Sequence, residues 1–169
     1  MFFDRFIPRT MFAYSLVLNC VAQRILIVKM TKNRYYLDTQ IWIDYYTQRG
    51  PDGIYGDQAL KLILKIIIDD SKVIFSNLHE KEMKNIGLSQ TDINSLLLII
   101  KPDHVKRVSV TKLHIKEAHK LSKLRNVPLG DAIHAVLARD FEAQLVSRDE
   151  KDFRKLKDIT KFIQPKNLI

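Results

Sequence analysis

The 169-residue chain is long enough for one domain with a substantial core and too short for two comfortable ones. Its 46% hydrophobic and 28% charged residues are those of an ordinary globular protein, but a formal charge of +9 and a pI near 9.6 favour an anionic partner: nucleic acid, a membrane surface or an acidic protein segment. The single cysteine, Cys20, excludes an intrachain disulfide and a cysteine-based zinc site, and suits a reducing, cytoplasmic setting.

Residues 1–29 differ from the rest. Met11 to Gln23 is an uncharged run of 13 residues behind Arg5 and Arg9, faintly like a signal sequence. It falls short of the roughly 20 residues that a membrane span needs. Met30 stands directly before a sequence that begins like a compact domain. We therefore expect residues 1–29 to be an extra segment outside the working protein, a domain at 30–169, and no membrane association. Residues 1–29 hold four of the basic and one of the acidic residues, so the remainder keeps a net charge of +6. The basic character belongs to the domain.

Arg34 to Leu37 reads as a first strand that ends in Asp38. A helix follows over 40–47, with Thr39 as its N-cap and Ile41, Trp42, Tyr45 and Tyr46 at helical spacing. Arg49 to Gly56, RGPDGIYG, carries three of the five glycines and reads as a loop. From Asp57 to about Asp69 runs an apolar helix whose expected inward face is Leu60, Ile63, Leu64 and Ile67, widened by Leu62 and Ile66. Lys72 to Ser76 is a second strand. Asn77 is the expected cap of a helix with Leu78, Glu82 and Ile86 along one stripe; Gly87 ends it. Ser89 caps another, with Ile93, Leu96, Leu97 and Ile100 on its apolar side and Pro102 as its stop.

Val105, Val108 and Val110 mark a third strand. Lys112 to Arg125 is an amphipathic helix with Ala118, Leu121 and Leu124 inward and Lys112, Lys116, Lys120 and Lys123 on an outer stripe. A buried helix opens at Gly130–Asp131, a short strand spans Gln144 to Ser147, and an acidic turn falls at Asp149. A short helix around Asp152–Leu156 and a last strand, Thr160 to Ile163, close the chain. This alternation argues for a three-layer α/β/α sandwich around a mostly parallel sheet.

Crossovers that return every strand in one direction bring all the carboxyl ends to one edge. Asp38 ends the first strand, Asp149 follows a later one, and Asp131 opens the helix leading into it. Glu82, two turns into its helix, is a carboxylate on an apolar stripe and needs a partner. Four converging carboxylates repel one another. A hard divalent cation, Mg2+ or Mn2+, resolves this, and a water bound to it can attack a phosphodiester without a serine, cysteine or histidine nucleophile.

YYLDTQIWIDYY at 35–46, VIFSNLHEKEM at 73–83, PLGDAIHAVLA at 128–138 and LVSRDEKDF at 145–153 resemble, in this order, the successive motifs of the PIN domain, many of whose members are VapC-type toxins of toxin–antitoxin pairs. The resemblance covers roughly residues 33–165. It implies a metal-dependent endoribonuclease acting on RNA, with Asp38, Glu82, Asp131 and Asp149 as the acids that hold the metal and carry catalysis. It also implies a cognate antitoxin and a homodimer as partners. Glu80 competes with Glu82, and the distance from Ser76 favours Glu82. Asp152 is expected at the periphery. Gln40 departs from the smaller Asn or Ser that the family often has two places after the first acid. A non-catalytic RNA- or partner-binding module on the same fold is the alternative. A haloacid-dehalogenase-type phosphatase wants a second aspartate where Gln40 stands.

Most of the remaining residues carry two readings. His134 is read as packed or hydrogen-bonded, with a ligand role as its alternative. Trp42 is read as core, with RNA stacking as its alternative. The lysine stripe suits a solvated face; phosphate contact by Lys116 and Lys120, with Arg148 and Lys151, is the functional reading. Arg148 suits a phosphate and an ion pair with a neighbouring acid equally. Asp44 and Asp140 are read as helix-surface acids.

Overall fold

The computed structural model describes residues 33–169; the expectation for residues 1–29 lies outside the described residues. Five strands, β1 (Arg34–Leu37), β2 (Lys72–Ser76), β3 (Val105–Val108), β4 (Gln144–Val146) and β5 (Phe162–Ile163), form one sheet in the order β3-β2-β1-β4-β5, and every pairing is parallel. Seven α-helices among the described residues connect and cover them: α1 (Thr39–Thr47), α2 (Ile54–Ile68), α3 (Asn77–Asn85), α4 (Gln90–Leu97), α5 (Lys112–Arg125), α6 (Leu129–Asp140) and α7 (Glu150–Phe153).

The strand sequences explain the three layers. Neighbouring residues of a strand point to opposite faces, and in a parallel sheet both faces must be covered. Tyr35, Leu37, Val73, Phe75 and Val146 enter one core with the buried residues of α1–α4. Tyr36, Ile74 and Leu145 enter the other with those of α5, α6 and α7. Trp42 lies wholly in the first core, edge-on to Phe75 at 5.8 Å. No described helix is long and apolar enough to cross a membrane.

Local signals set several boundaries. Ser89 accepts from the Asp92 N–H and Asp92 returns a bond to the Ser89 N–H, starting α4; Thr111 accepts from His114 N–H at the start of α5. Several expectations shift. Asp38, not Thr39, is the N-cap of α1, and Ser76, not Asn77, that of α3. Helix α2 starts at Ile54 and buries Ala59, Leu62, Ile63 and Ile66, leaving Leu64 exposed. Leu124, expected inward, is 76% exposed in the last turn of α5.

Candidate active site

The strand order reverses direction at β1, so the connections leaving β1 and β4 diverge and their carboxyl ends open a crevice between them. The Asp38 N–H donates to Val146 O at 2.9 Å, extending the β1–β4 ladder into the first acid. Ser147, directly after β4, donates its hydroxyl to Asp38 Oδ2 at 2.6 Å and accepts from the Asp149 N–H at 3.0 Å. One buried hydroxyl thus ties two acids that follow different strands. Asp149 then caps α7, accepting from the Asp152 N–H at 3.0 Å.

Asp38, Glu82, Asp131 and Asp149 all line one cleft of about 540 Å³, and Gln40, His134 and Arg148 share its walls. Asp131, Asp149 and Asp152 each offer an oxygen within 4.8 Å of the others, an all-oxygen set that can hold a metal ion. Asp152, expected at the periphery, stands beside Asp131 and Asp149 without lining the cleft, and Lys155 donates to it at 2.6 Å. Burial and the charge of Asp38 push the Asp131 carboxyl up to about 7; Asp149 and Asp152 add to this and His134 opposes it. No described side chain hydrogen-bonds or ion-pairs with Asp131. A cation is the partner that this donor set fits.

Glu82 has its partners. Thr39 Oγ1 and His134 Nε2, the latter at 3.0 Å, both meet its Oε2. Burial works against its charge, but these bonds outweigh it and hold the carboxyl below its ordinary value. Its Oε1 lies beside Gly130, where an added Cβ would come within 3.1 Å. The absence of a side chain there gives the carboxylate room. Glu80, by contrast, ion-pairs with Arg107 at 2.7 Å and does not line the cleft.

Behind Glu82 runs a buried polar chain. His134 Nδ1 meets Tyr36 Oη at 2.8 Å, which meets Ser76 Oγ at 3.0 Å, which meets His79 Nδ1 at 3.0 Å. His79 Nδ1 accepts from the Ser76 N–H at 2.8 Å, so Nε2 carries the proton and donates to Leu37 O. Burial, reinforced by His134, holds His79 well below its ordinary value, hence neutral. His134 is pushed the other way: burial opposes its charge, and Glu82, Asp38 and Asp131 overcome that. His134 is thus a hydrogen-bonded residue that touches the acids. His79 was not singled out from sequence, although its place three residues after the cap Ser76 is a capping-box signal.

Asp44 corrects the sequence reading most. It is fully buried, because Arg148 donates to it through Nε at 2.5 Å and Nη2 at 2.9 Å. Arg148 therefore has its ion pair with Asp44 rather than with the adjacent Asp149. Asp140 is half-exposed and pairs with Arg139 at 2.8 Å. Lys116, Lys120 and Lys151 are exposed and lie outside the cleft lining.

Residues 35–159 match the model of the PIN domain. The chain belongs to the PIN domain family. Members of this family are generally nucleases, and the acidic cleft lies where these motifs converge. No curated protein matches the sequence. Among solved structures, the PIN fold of this chain is similar to that in VapBC-1 from nontypeable Haemophilus influenzae, with a TM-score of 0.56 and 16% identity over 79% of this chain and 98% of that one. It is also similar to VapBC2 from Rickettsia felis bound to a promoter DNA fragment (0.55, 15%, 78% and 98%) and to a toxin–antitoxin complex from Klebsiella pneumoniae (0.54, 17%, 78% and 97%).

Ser147 offers a direct check on how this PIN centre is held. Ser147→Ala removes the hydroxyl shared by Asp38 and Asp149. We expect about 1 kcal/mol less stability and a 10- to 100-fold loss of metal affinity or activity, the usual cost of a lost outer-shell partner. Metal affinity within twofold of wild type, read by calorimetry, would remove Ser147 from this role.

Proposed function

We propose that the domain at 30–169 is a divalent-metal-dependent endoribonuclease, the toxin of a toxin–antitoxin pair, using Mg2+ or Mn2+ to hydrolyse RNA phosphodiester bonds. The observation that carries this reading is the convergence of Asp38, Glu82, Asp131 and Asp149 on one cleft, with an unpaired Asp131 carboxyl pushed up to about 7 among its neighbours. Asp38, Asp131 and Asp149 would hold the cation, with Asp152 beside them. Bound there, a divalent cation lowers the pKa of water and neutralises charge on the phosphoryl oxygens. Glu82, fixed through Oε2 by Thr39 and His134, keeps Oε1 to accept a hydrogen bond from the attacking water. The net positive charge of the chain draws RNA to an otherwise acidic cleft.

The complexes of the H. influenzae, R. felis and K. pneumoniae relatives support an antitoxin partner for this chain as well. Leu98, Ile68, Leu113 and Leu124, each at least 74% exposed, supply apolar surface for such a partner or for a homodimer. The test is cleavage of single-stranded RNA by purified protein. Cutting should require Mg2+ or Mn2+, stop with chelator and return on adding metal back. RNA binding without turnover in either metal would replace the enzyme with a binding module.

A further inference from the structure

Arg148 is the only lysine or arginine among the described residues that line the cleft. It is held on two sides. Asp44, buried within α1, takes Nε and Nη2 side-on, and the Tyr55 ring lies with its centroid 4.0 Å from the guanidinium carbon. The Gln40 amide also reaches Asp44 at 3.3 Å. Tyr55 comes from the RGPDGIYG segment. There Gly50 adopts φ +100°, and a Cβ on it would fall 2.6 Å from the Tyr55 ring, so glycine is what lets the ring stand against Arg148.

A guanidinium has five N–H donors, of which two face Asp44. Nη1 and the outer N–H of Nη2 have no partner among the described residues, and together they form a planar two-donor edge that matches a phosphate. Burying an ion pair is seldom the cheapest way to stabilise a fold, since apolar replacements are often as stable. A buried acid and an aromatic face that fix an arginine at a cleft, with an edge to spare, have a use beyond stability. They remove beforehand the side-chain freedom that an unrestrained arginine loses on gripping a ligand.

We infer that Arg148 binds an RNA phosphate flanking the one that is cut, and that Asp44 and Tyr55 are positioning residues that hold its outer edge for this contact. The inference rests on the RNA reading of the cleft. Its test is the salt dependence of single-stranded RNA affinity, measured on the full chain with Asp38→Asn to prevent cutting. The double variant Asp44→Leu/Arg148→Met removes one charge of each sign, so the net charge of the chain is unchanged. It should melt within a few degrees of its parent, bind RNA about tenfold more weakly, and show a salt slope shallower by about 0.7.

Unchanged affinity and slope in the folded double variant would return the pair to a purely structural role, and so would a parent protein with no RNA affinity. Where the double variant does not fold, Arg148→Lys decides: lysine keeps the charge opposite Asp44 but lacks the second edge, so the same flattening is expected and an unaltered slope overturns the inference. Tyr55→Leu should weaken affinity a few-fold and leave the slope as it is, because Arg148 keeps its outer edge and still makes the phosphate contact while its orientation loosens. Metal-dependent cleavage by wild type is scored separately. A wild type that binds but never cuts, with the slope still lowered in the double variant, ends the enzyme reading and keeps Arg148. A wild type that cuts, with the slope unmoved, does the reverse.

Discussion

Asp38→Asn should lower metal-dependent RNA cleavage at least a hundredfold, while the protein still folds and still binds RNA. Outer-shell partners of a metal already contribute factors of about 10 to 100, and a charged ligand contributes more. The fold survives because asparagine keeps an oxygen for the Ser147 hydroxyl, and the backbone bond from residue 38 to Val146 is untouched. RNA binding persists or strengthens, since a negative charge leaves the cleft that the phosphate backbone approaches. The measurement pairs single-turnover cleavage with a binding isotherm and a melt on the same preparation. Cutting within tenfold of wild type would take Asp38 out of the centre.

The second large effect is a coupling of metal, pH and stability. Asp131 titrates near 7 in the fold against 3.8 when free of it, so between these values the native state holds a proton that the unfolded chain has lost. The unfolded state then binds fewer protons, and stability falls as pH rises through this window. His134, raised above 6.5, acts in the same direction: its contribution is complete below 6.5 and is lost as pH rises through its folded value. With chelator, the protein should therefore melt lower at pH 8 than at pH 5.5. A cation that binds only the native state, at a hundred times its Kd, adds about 2.7 kcal/mol, on the order of 10 °C for a domain of this size. Asp131→Asn should raise the chelated melting point at pH 8, flatten the pH dependence and blunt the metal response. Asp149→Asn should likewise blunt the metal response. A full metal-induced shift in Asp131→Asn would exclude that residue from the cation site.

The sequence carried the alternation of elements and the places of the acids better than it carried helix faces. Asp38 and Asp149 were legible because each follows an apolar strand, where chain direction brings strand ends together, and Asp131 because it opens the buried helix that leads into β4. Helix α2 was not. With LKLILKIII apolar at nearly every position, several faces fit equally, and packing against the sheet chose Ala59, Leu62, Ile63 and Ile66. Asp44 failed for a different reason: an acid in an amphipathic helix looks solvated until its partner is known, and that partner lies 104 residues away. The buried polar chain behind Glu82 likewise depends on Tyr36 meeting Ser76, 40 residues on, and His134, 98 residues on. Glu82 sits where its stripe predicted, but the bonds that orient it, from Thr39 and His134, cross 43 and 52 residues.

The pairing of Leu37 with Val146 also bears on synthesis. Asp38 leaves the ribosome before Ser147, 109 residues later, and before Asp149 and Asp152. Long-range parallel pairing is slow to form, and domains fold as their segments emerge. A chain made only as far as Glu82 therefore has Asp38 with no strand β4 beside it. On the proposed nuclease reading, the acidic centre stays incomplete until β4 seats against β1, because Ser147, Asp149 and Asp152 all follow that strand in the chain.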